Sequence, residues 1–289
     1  MRISGVTIVR NGVKLGYPFV EAIRSILPMC FEVIVGVGDS DDGTRKKIEE
    51  IRDSRIKIFD TKWDMKNRSG GLVLSEQTNL ALSRCGGDWI FYIQADETAF
   101  EKDYDKIGSA VAAADSRQDI EGLCFDYLHF YGSYFTVQAG RNWYAREVRL
   151  IRNFRSIKSY GDAQGFRKEG RKLKASSANG TIYHYGWARP PDAMMEKVKS
   201  FHELWHDDEW IKKNCPTNEA RDYFTDLGNL KEYKGPHPSV MASRINRDSE
   251  AFIRQCRAEY LKHRPIGRMI RDFLRKFKIG QNTNFIPVE

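Results

Sequence analysis

Chemistry is most concentrated where an apolar stretch runs straight into carboxylates, in Gly87-Asp88-Trp89-Ile90-Phe91-Tyr92-Ile93-Gln94-Ala95-Asp96-Glu97. Carboxylates are hard oxygen ligands suited to Mg²⁺ or Mn²⁺. A divalent ion can bridge them to phosphate oxygens and neutralise charge on a departing diphosphate. The same pattern also describes a buried strand that ends at a solvated turn. A second pattern points elsewhere: His202-Glu203-Leu204-Trp205-His206 matches His-Glu-x-x-His, in which two histidines one helical turn apart bind Zn²⁺ and the glutamate activates water. Asp207, Asp208 and Glu209 follow directly, as expected of an exposed, charged helical surface instead.

The elements that must position these groups alternate. Residues 3–9 and 32–37 are short, apolar, β-branched stretches separated by a helical pattern from about Pro18 to Leu27. Gly43-Thr44 opens a charged helix through about Asp53, a strand covers 56–59, and Gly70-Gly71 leads into a helix from about Ser75 to Arg84. Strand 89–93 follows. This rhythm predicts a doubly wound, mostly parallel sheet, in which ligands bind beyond the carboxyl ends of the strands. Asp39 and Asp96 both lie at such ends.

Several of these segments fit a known pattern: Thr7-Ile8-Val9-Arg10-Asn11, the run from Glu32 to Asp41-Asp42-Gly43-Thr44, Asn79, and Gly87-Asp88-Trp89-Ile90. The spacing from Asn79 through Asp88 to Asp96 matches without a gap. Over roughly its first hundred residues the chain resembles the family 2 glycosyltransferases, whose GT-A fold is a Rossmann-like, mostly parallel central sheet flanked by helices. Two positions depart from the family pattern. Gln94 stands where the first Asp of Asp-x-Asp usually falls, and Val37 and Gly38 stand where an acidic pair often recognises uracil.

The resemblance implies displacement at the anomeric carbon of a nucleotide sugar, with inversion. Asp162, in a glycine-flanked turn after the strand-like Val148-Arg149-Leu150-Ile151, is the expected base for the acceptor hydroxyl, with Glu147 and Asp126 in reserve. A divalent cofactor, Mn²⁺ or Mg²⁺, is expected on Asp96 and on His184, a late histidine in Ile182-Tyr183-His184-Tyr185-Gly186-Trp187. Contacts to the nucleotide-sugar donor are expected from Val9, Arg10, Asn11, Asp39, Asn79, Gln94, Ala95, Asp96 and Trp187, with Arg189 closing beside Trp187. The expected acceptor is a hydroxyl of a surface glycan of lipopolysaccharide, O-antigen or capsule type, lipid-linked or free. The alternatives are a zinc hydrolase using His202, Glu203 and His206, and a non-catalytic nucleotide-sugar binding protein, the latter motivated by Gln94.

Bulk properties bound the rest. With 289 residues, 41% of them hydrophobic, the chain suits one full-sized domain with an appendage. The expected boundary is at the double proline Pro190-Pro191: a catalytic domain over 1–190 and a helical, basic region over 191–289. The net charge of +8 favours anionic partners. Nucleic acid is not expected, since no helix-turn-helix, zinc finger or aromatic-basic RNA motif is present. Five scattered cysteines without a Cys-x-x-Cys pair fit a reducing cytoplasm. No stretch approaches the roughly 20 apolar residues of a membrane span.

Two aromatic regions complete the reading. Residues 122–152 hold Phe125, Tyr127, Phe130, Tyr131, Tyr134, Phe135, Trp143 and Tyr144, read as strands packed on the sheet or as rings stacking on sugars. Near the end, Ile266, Met269, Ile270, Phe273, Leu274 and Phe277 form an apolar stripe against a basic face. That stripe would dock on the core, on a second subunit in a homodimer, or on an anionic membrane at the inner face of the cell envelope.

Overall fold

The computed structural model describes residues 1–67, 69–138, 143–189, 194, 197, 199–200, 202–206, 208–214, 230–248 and 283–288. Its amino-terminal half is the expected alternation: β1 (Ile3–Val9), α1 (Phe19–Ile26), β2 (Glu32–Gly38), α2 (Thr44–Glu49), β3 (Ile56–Thr61), α3 (Leu72–Leu82) and β4 (Trp89–Tyr92). In α1, Phe19, Ala22, Ile23 and Ile26 recur at helical spacing and bury one face. Helix α2 stops before the expected end because Arg52 adopts a left-handed backbone, φ 56°.

The chain continues as β5 (Glu97–Ala99), α4 (Tyr104–Asp115), β6 (Gly122–Tyr131), β7 (Thr136–Gln138), β8 (Arg146–Arg152), β9 (Ile157–Tyr160), β10 (Gly165–Lys168), β11 (Arg171–Lys172) and β12 (Lys174–Trp187). A short helix α5 (Asp208–Asn214) and the strands β13 (Leu230–Glu232) and β14 (Ile286–Pro287) follow. The main sheet runs β13-β7-β6-β8-β4-β1-β2-β3, and β12 pairs with β5, β6 and β14. Strands β3, β2, β1 and β4 are parallel neighbours. Beyond β4 the sheet becomes mixed, because β8 runs antiparallel to both β4 and β6 while β6 and β12 are parallel. Among β1 to β4 each parallel connection is a helical crossover, through α1, α2 and α3 in turn.

Alternation along β4 sends Trp89 and Phe91, with Ile93 just beyond its end, into one core and Ile90 and Tyr92 into the other, so both faces of the sheet are covered. At the end of this strand the acidic cluster divides. Glu97 turns inward, fully buried, where Arg149 Nε and Nη2 donate to its two oxygens at 2.9 and 2.8 Å and the Tyr127 hydroxyl donates at 2.9 Å. The Gln94 backbone N–H also donates to Glu97, at 3.1 Å. Breaking such a buried pair from one side typically costs about 3–5 kcal/mol. The pair therefore fixes the turn that presents Asp96.

The expected boundary near residue 190 lies outside the described residues, as does the amphipathic stripe from Ile266 to Phe277. Described segments beyond residue 190 pair with the main sheet: β13 lies antiparallel to β7, and β14 parallel to β12. Among the described residues no helix is long and apolar enough to cross a membrane.

Candidate active site

Strand order reverses between β1 and β4, since β2 follows on one side of β1 and β4 lies on its other side. In open α/β sheets the crevice outside the carboxyl ends at such a switch point is where ligands bind. Here it is a cavity of about 310 Å³. Its lining includes Val9 at the end of β1, Arg10 and Asn11 just after it, and Gln94, Ala95 and Asp96 after β4. Across the opening stand Asp162, His184, Trp187 and Lys197.

At the inner end, Asp96 meets two nitrogens. His184 Nε2 lies 3.6 Å from Asp96 Oδ2, and Lys197 Nζ donates to the same oxygen at 3.2 Å and to the Gly186 carbonyl at 2.5 Å. Sheet pairing brings them together: His184 is the registered partner of Glu97, and the Tyr185 amide donates to the Asp96 carbonyl at 2.8 Å. The β6–β12 register is irregular between His184 and Trp187, the kind of local bulge that re-aims side chains beside sites. Burial works to raise the Asp96 carboxyl, but the Lys197 ammonium and His184 outweigh it and hold it well below the usual carboxylate range. Burial pushes Lys197 down to about 8, with Asp96 pulling it back.

A second histidine sets the orientation of the first. His129 Nδ1 lies 3.0 Å from His184 Nδ1, and His129 Nε2 lies 2.7 Å from the Tyr144 carbonyl. Burial, aided by His184, pushes the His129 imidazole down to about 3, so it is neutral at physiological pH. A carbonyl only accepts, so His129 Nε2 carries the proton and its Nδ1 accepts from His184 Nδ1–H. The remaining nitrogen of His184, Nε2, is thereby turned toward Asp96.

On the opposite wall, Asp162 is held in a tight turn by left-handed backbones at Gly161 (φ 56°) and Ala163 (φ 61°). Its Oδ1 accepts the Gln164 amide at 3.2 Å. Gln94 Nε2 and the Tyr92 hydroxyl both donate to the Ala163 carbonyl at 3.2 Å. A carboxylate at position 94 could not donate. Gln94 thus ties the end of β4 to the turn that carries Asp162.

The outer end is built around Arg10. Asp39 pairs with Arg10 Nε at 3.2 Å and accepts the Trp63 amide at 3.4 Å, while the Arg10 guanidinium lies 5.7 Å from the Trp63 ring centre. Asn11 adopts a left-handed backbone (φ 51°), and its Oδ1 is buried with no hydrogen-bond partner among the described residues. The Asp42-Gly43-Thr44 turn staples this loop: Thr44 Oγ1 accepts the Gly12 amide at 2.8 Å, and Asp42 accepts the Lys14 amide at 2.7 Å.

The model of glycosyl transferase family 2 matches residues 7–167, more than half of the chain. The chain belongs to glycosyl transferase family 2. Solved structures similar to this family member include S. aureus TarS 1–349 with UDP-GlcNAc, at 13% identity and a TM-score of 0.38, covering 71% of this chain and 66% of that one. Another is glucosyl-3-phosphoglycerate synthase from Mycobacterium tuberculosis with Mn²⁺, UDP and phosphoglyceric acid, at 14% identity and a TM-score of 0.41, covering 72% and 80%. The chain spans 65% of the length of another S. aureus TarS 1–349 structure. No curated protein matches the chain.

The divalent ion that the family implies can be tested against one glycine. A Cβ on Gly186 would stand 2.5 Å from Asp96 Oδ2, 2.7 Å from His184 Nε2 and 2.7 Å from Lys197 Nζ. The space left by the missing side chain is therefore a cradle on which an oxygen, an imidazole nitrogen and an ammonium converge. Asp96 and His184 are the oxygen and nitrogen donors that would hold a divalent ion there. Among the described residues no third His, Cys, Asp or Glu joins them. Gly186→Ala fills the cradle at the expense of side-chain ends rather than backbone. It should lower kcat/KM about 10²-fold, the cost of a misplacement near 1 Å, with the melting temperature nearly unchanged. Steady-state kinetics beside a thermal melt would check this.

The remaining expected residues are distributed unevenly. Asn79 does not line the cavity: its side chain donates to the Ser159 carbonyl at 2.9 Å and accepts the Ser159 amide at 2.8 Å, clamping α3 to β9. Glu147 also lies off the cavity, buried, with Gln164 and Asn284 donating to it at 3.1 and 3.0 Å. Asp126 is exposed and paired with Arg146. Arg189 donates to the Leu15 carbonyl and packs over the Tyr17 ring. Of the aromatic stretch, Phe125, Phe130 and Tyr134 are core, whereas Trp143 and Tyr144 line the cavity.

In the His-Glu-x-x-His segment, His206 stacks on Trp210 with ring centres 3.6 Å apart, while Glu203 and Leu204 line the same cavity as Asp162. Sequence reading missed Trp63, His129 and Lys197. Trp63 follows the carboxyl end of a parallel strand, a signal that could have found it. Lys197 carries no spacing signal at all.

Proposed function

We propose that this chain transfers a sugar, with inversion, from a nucleoside diphosphate sugar to a hydroxyl of a surface glycan. One observation carries the reading: a single cavity at the switch point has the Asp162 carboxylate on one wall and the Asp96, His184 and Lys197 cluster on another. The nucleoside lies at the outer end, against Arg10, Asn11, the Trp63 ring, Val9 and Ala95, with Asp39 off the cavity and paired to Arg10. The diphosphate reaches the inner end. Trp143, Tyr144 and Trp187 offer ring faces to sugars.

In this reading Asp162 accepts the acceptor's hydroxyl proton as that oxygen attacks the anomeric carbon, and the bond to the diphosphate breaks on the far side. Asp96 and His184 would hold a divalent ion, which would supply neutralisation of charge on the departing diphosphate. Gln94 positions the Asp162 turn, and His129 positions His184.

A ligand that binds only the native state raises its melting temperature. A thermal-shift panel of UDP, GDP, dTDP and CDP, with and without Mn²⁺, should give a shift with one nucleotide that grows with the metal. No shift with any nucleotide, alongside a shift with Zn²⁺ alone, would move the assignment to His202 and His206.

A further inference from the structure

Arg10 and Lys197 are the two cationic side chains of lysine or arginine type among the described residues lining the cavity. Arg10 is paired with Asp39 at the outer end. Lys197 is at the inner end, on the same Asp96 oxygen that faces His184, and it closes the third side of the Gly186 cradle. Its ammonium lies against the Tyr17 and Trp187 rings, 5.4 and 5.2 Å from their centres. It is 6% exposed. An ion in the cradle and this ammonium would be like charges in near contact, so they cannot share Asp96.

Charge balance points to where the ammonium goes. Without donor, Asp96 and Lys197 cancel. A divalent ion adds two positive charges that Asp96 alone does not balance, because Gln94 contributes none. The diphosphate of a nucleotide sugar brings two negative charges into the same end of the cavity. The lysine stem has four rotatable carbons, enough to carry its head from Asp96 to an incoming phosphate oxygen.

Resting on the transferase reading above, we propose that Lys197 is the residue that binds the donor's diphosphate. It is held on Asp96 until the donor arrives, and it excludes a divalent ion from the site until then. The ion accordingly enters with the nucleotide rather than before it.

Mn²⁺ binding to the full chain, measured by electron paramagnetic resonance without nucleotide, reads the first half. Lys197→Met should bind Mn²⁺ at least tenfold more tightly than the unaltered protein. Calorimetric titration with UDP, GDP, dTDP or CDP at saturating Mn²⁺ reads the second half, and the variant should bind the accepted nucleotide at least tenfold more weakly. Lys197→Gln keeps a donor for Asp96 and the Gly186 carbonyl while removing the charge. It should behave alike, and it replaces the methionine variant if that one fails to fold. Unchanged Mn²⁺ affinity, or unchanged nucleotide affinity, in a folded variant overturns the proposal. If the unaltered protein itself binds none of the four nucleotides, it is the transferase reading that fails.

Discussion

Asp162→Asn is expected to lower kcat by about 10³-fold, within the range that a positioned general base contributes, while leaving donor affinity within about twofold. That loss corresponds to about 4 kcal/mol of transition-state stabilisation. Asparagine keeps the oxygen that accepts the Gln164 amide, so the turn should survive. The backbone at Gly161 and Ala163 and the bonds from Gln94 and Tyr92 do not involve the carboxylate either. What changes is the charge and with it the capacity to take a proton. Steady-state kinetics with calorimetric donor binding separate the two quantities. A fall of less than tenfold would take the base away from Asp162 and give it to Glu203, which lines the same cavity.

Asp96→Asn should act on both rate and stability. In the proposed reaction the carboxylate faces the leaving diphosphate, and removing one preorganised electrostatic group of this kind costs about 10²–10³ in kcat. It is also the counter-charge of Lys197, whose ammonium would be left with neutral acceptors alone, the asparagine oxygen and the Gly186 carbonyl. Leaving one member of a buried pair unbalanced costs about 3–5 kcal/mol, so the melting temperature should fall as well. Kinetics must be taken at a temperature where circular dichroism finds the variant folded. Turnover that survives unchanged in a folded Asp96→Asn would remove this residue from the chemistry.

Much of the architecture was legible because it is local. The runs 3–9, 32–37 and 89–93 are apolar and β-branched, and each became a buried strand of the parallel half-sheet. Asp96 could be named because it follows an apolar strand, and His184 because the family resemblance implies a late histidine beside the metal. Their meeting at 3.6 Å depends on the antiparallel pairing of β5 with β12, which no short window contains. Period-two alternation turned Glu97 inward to Arg149.

Other roles were hidden by long-range contacts. Asn79 reads as a donor contact from its position before the acidic strand, yet β9 claims both ends of its amide. Gln94 reads as a missing ligand, and only the fold reveals its amide on the Ala163 carbonyl. His129 and Lys197 reach the site from residues 55 and 13 positions away from His184, and neither carries a local pattern.

The central claim is inverting transfer from a nucleotide sugar in the cavity shared by Asp162 and Asp96. Its most direct test is proton NMR of the product formed from the nucleotide sugar whose diphosphate binds, read at the anomeric coupling constant. Stoichiometric release of nucleoside diphosphate is expected, with a product of opposite anomeric configuration to the donor. A product that retains the donor's configuration would contradict it.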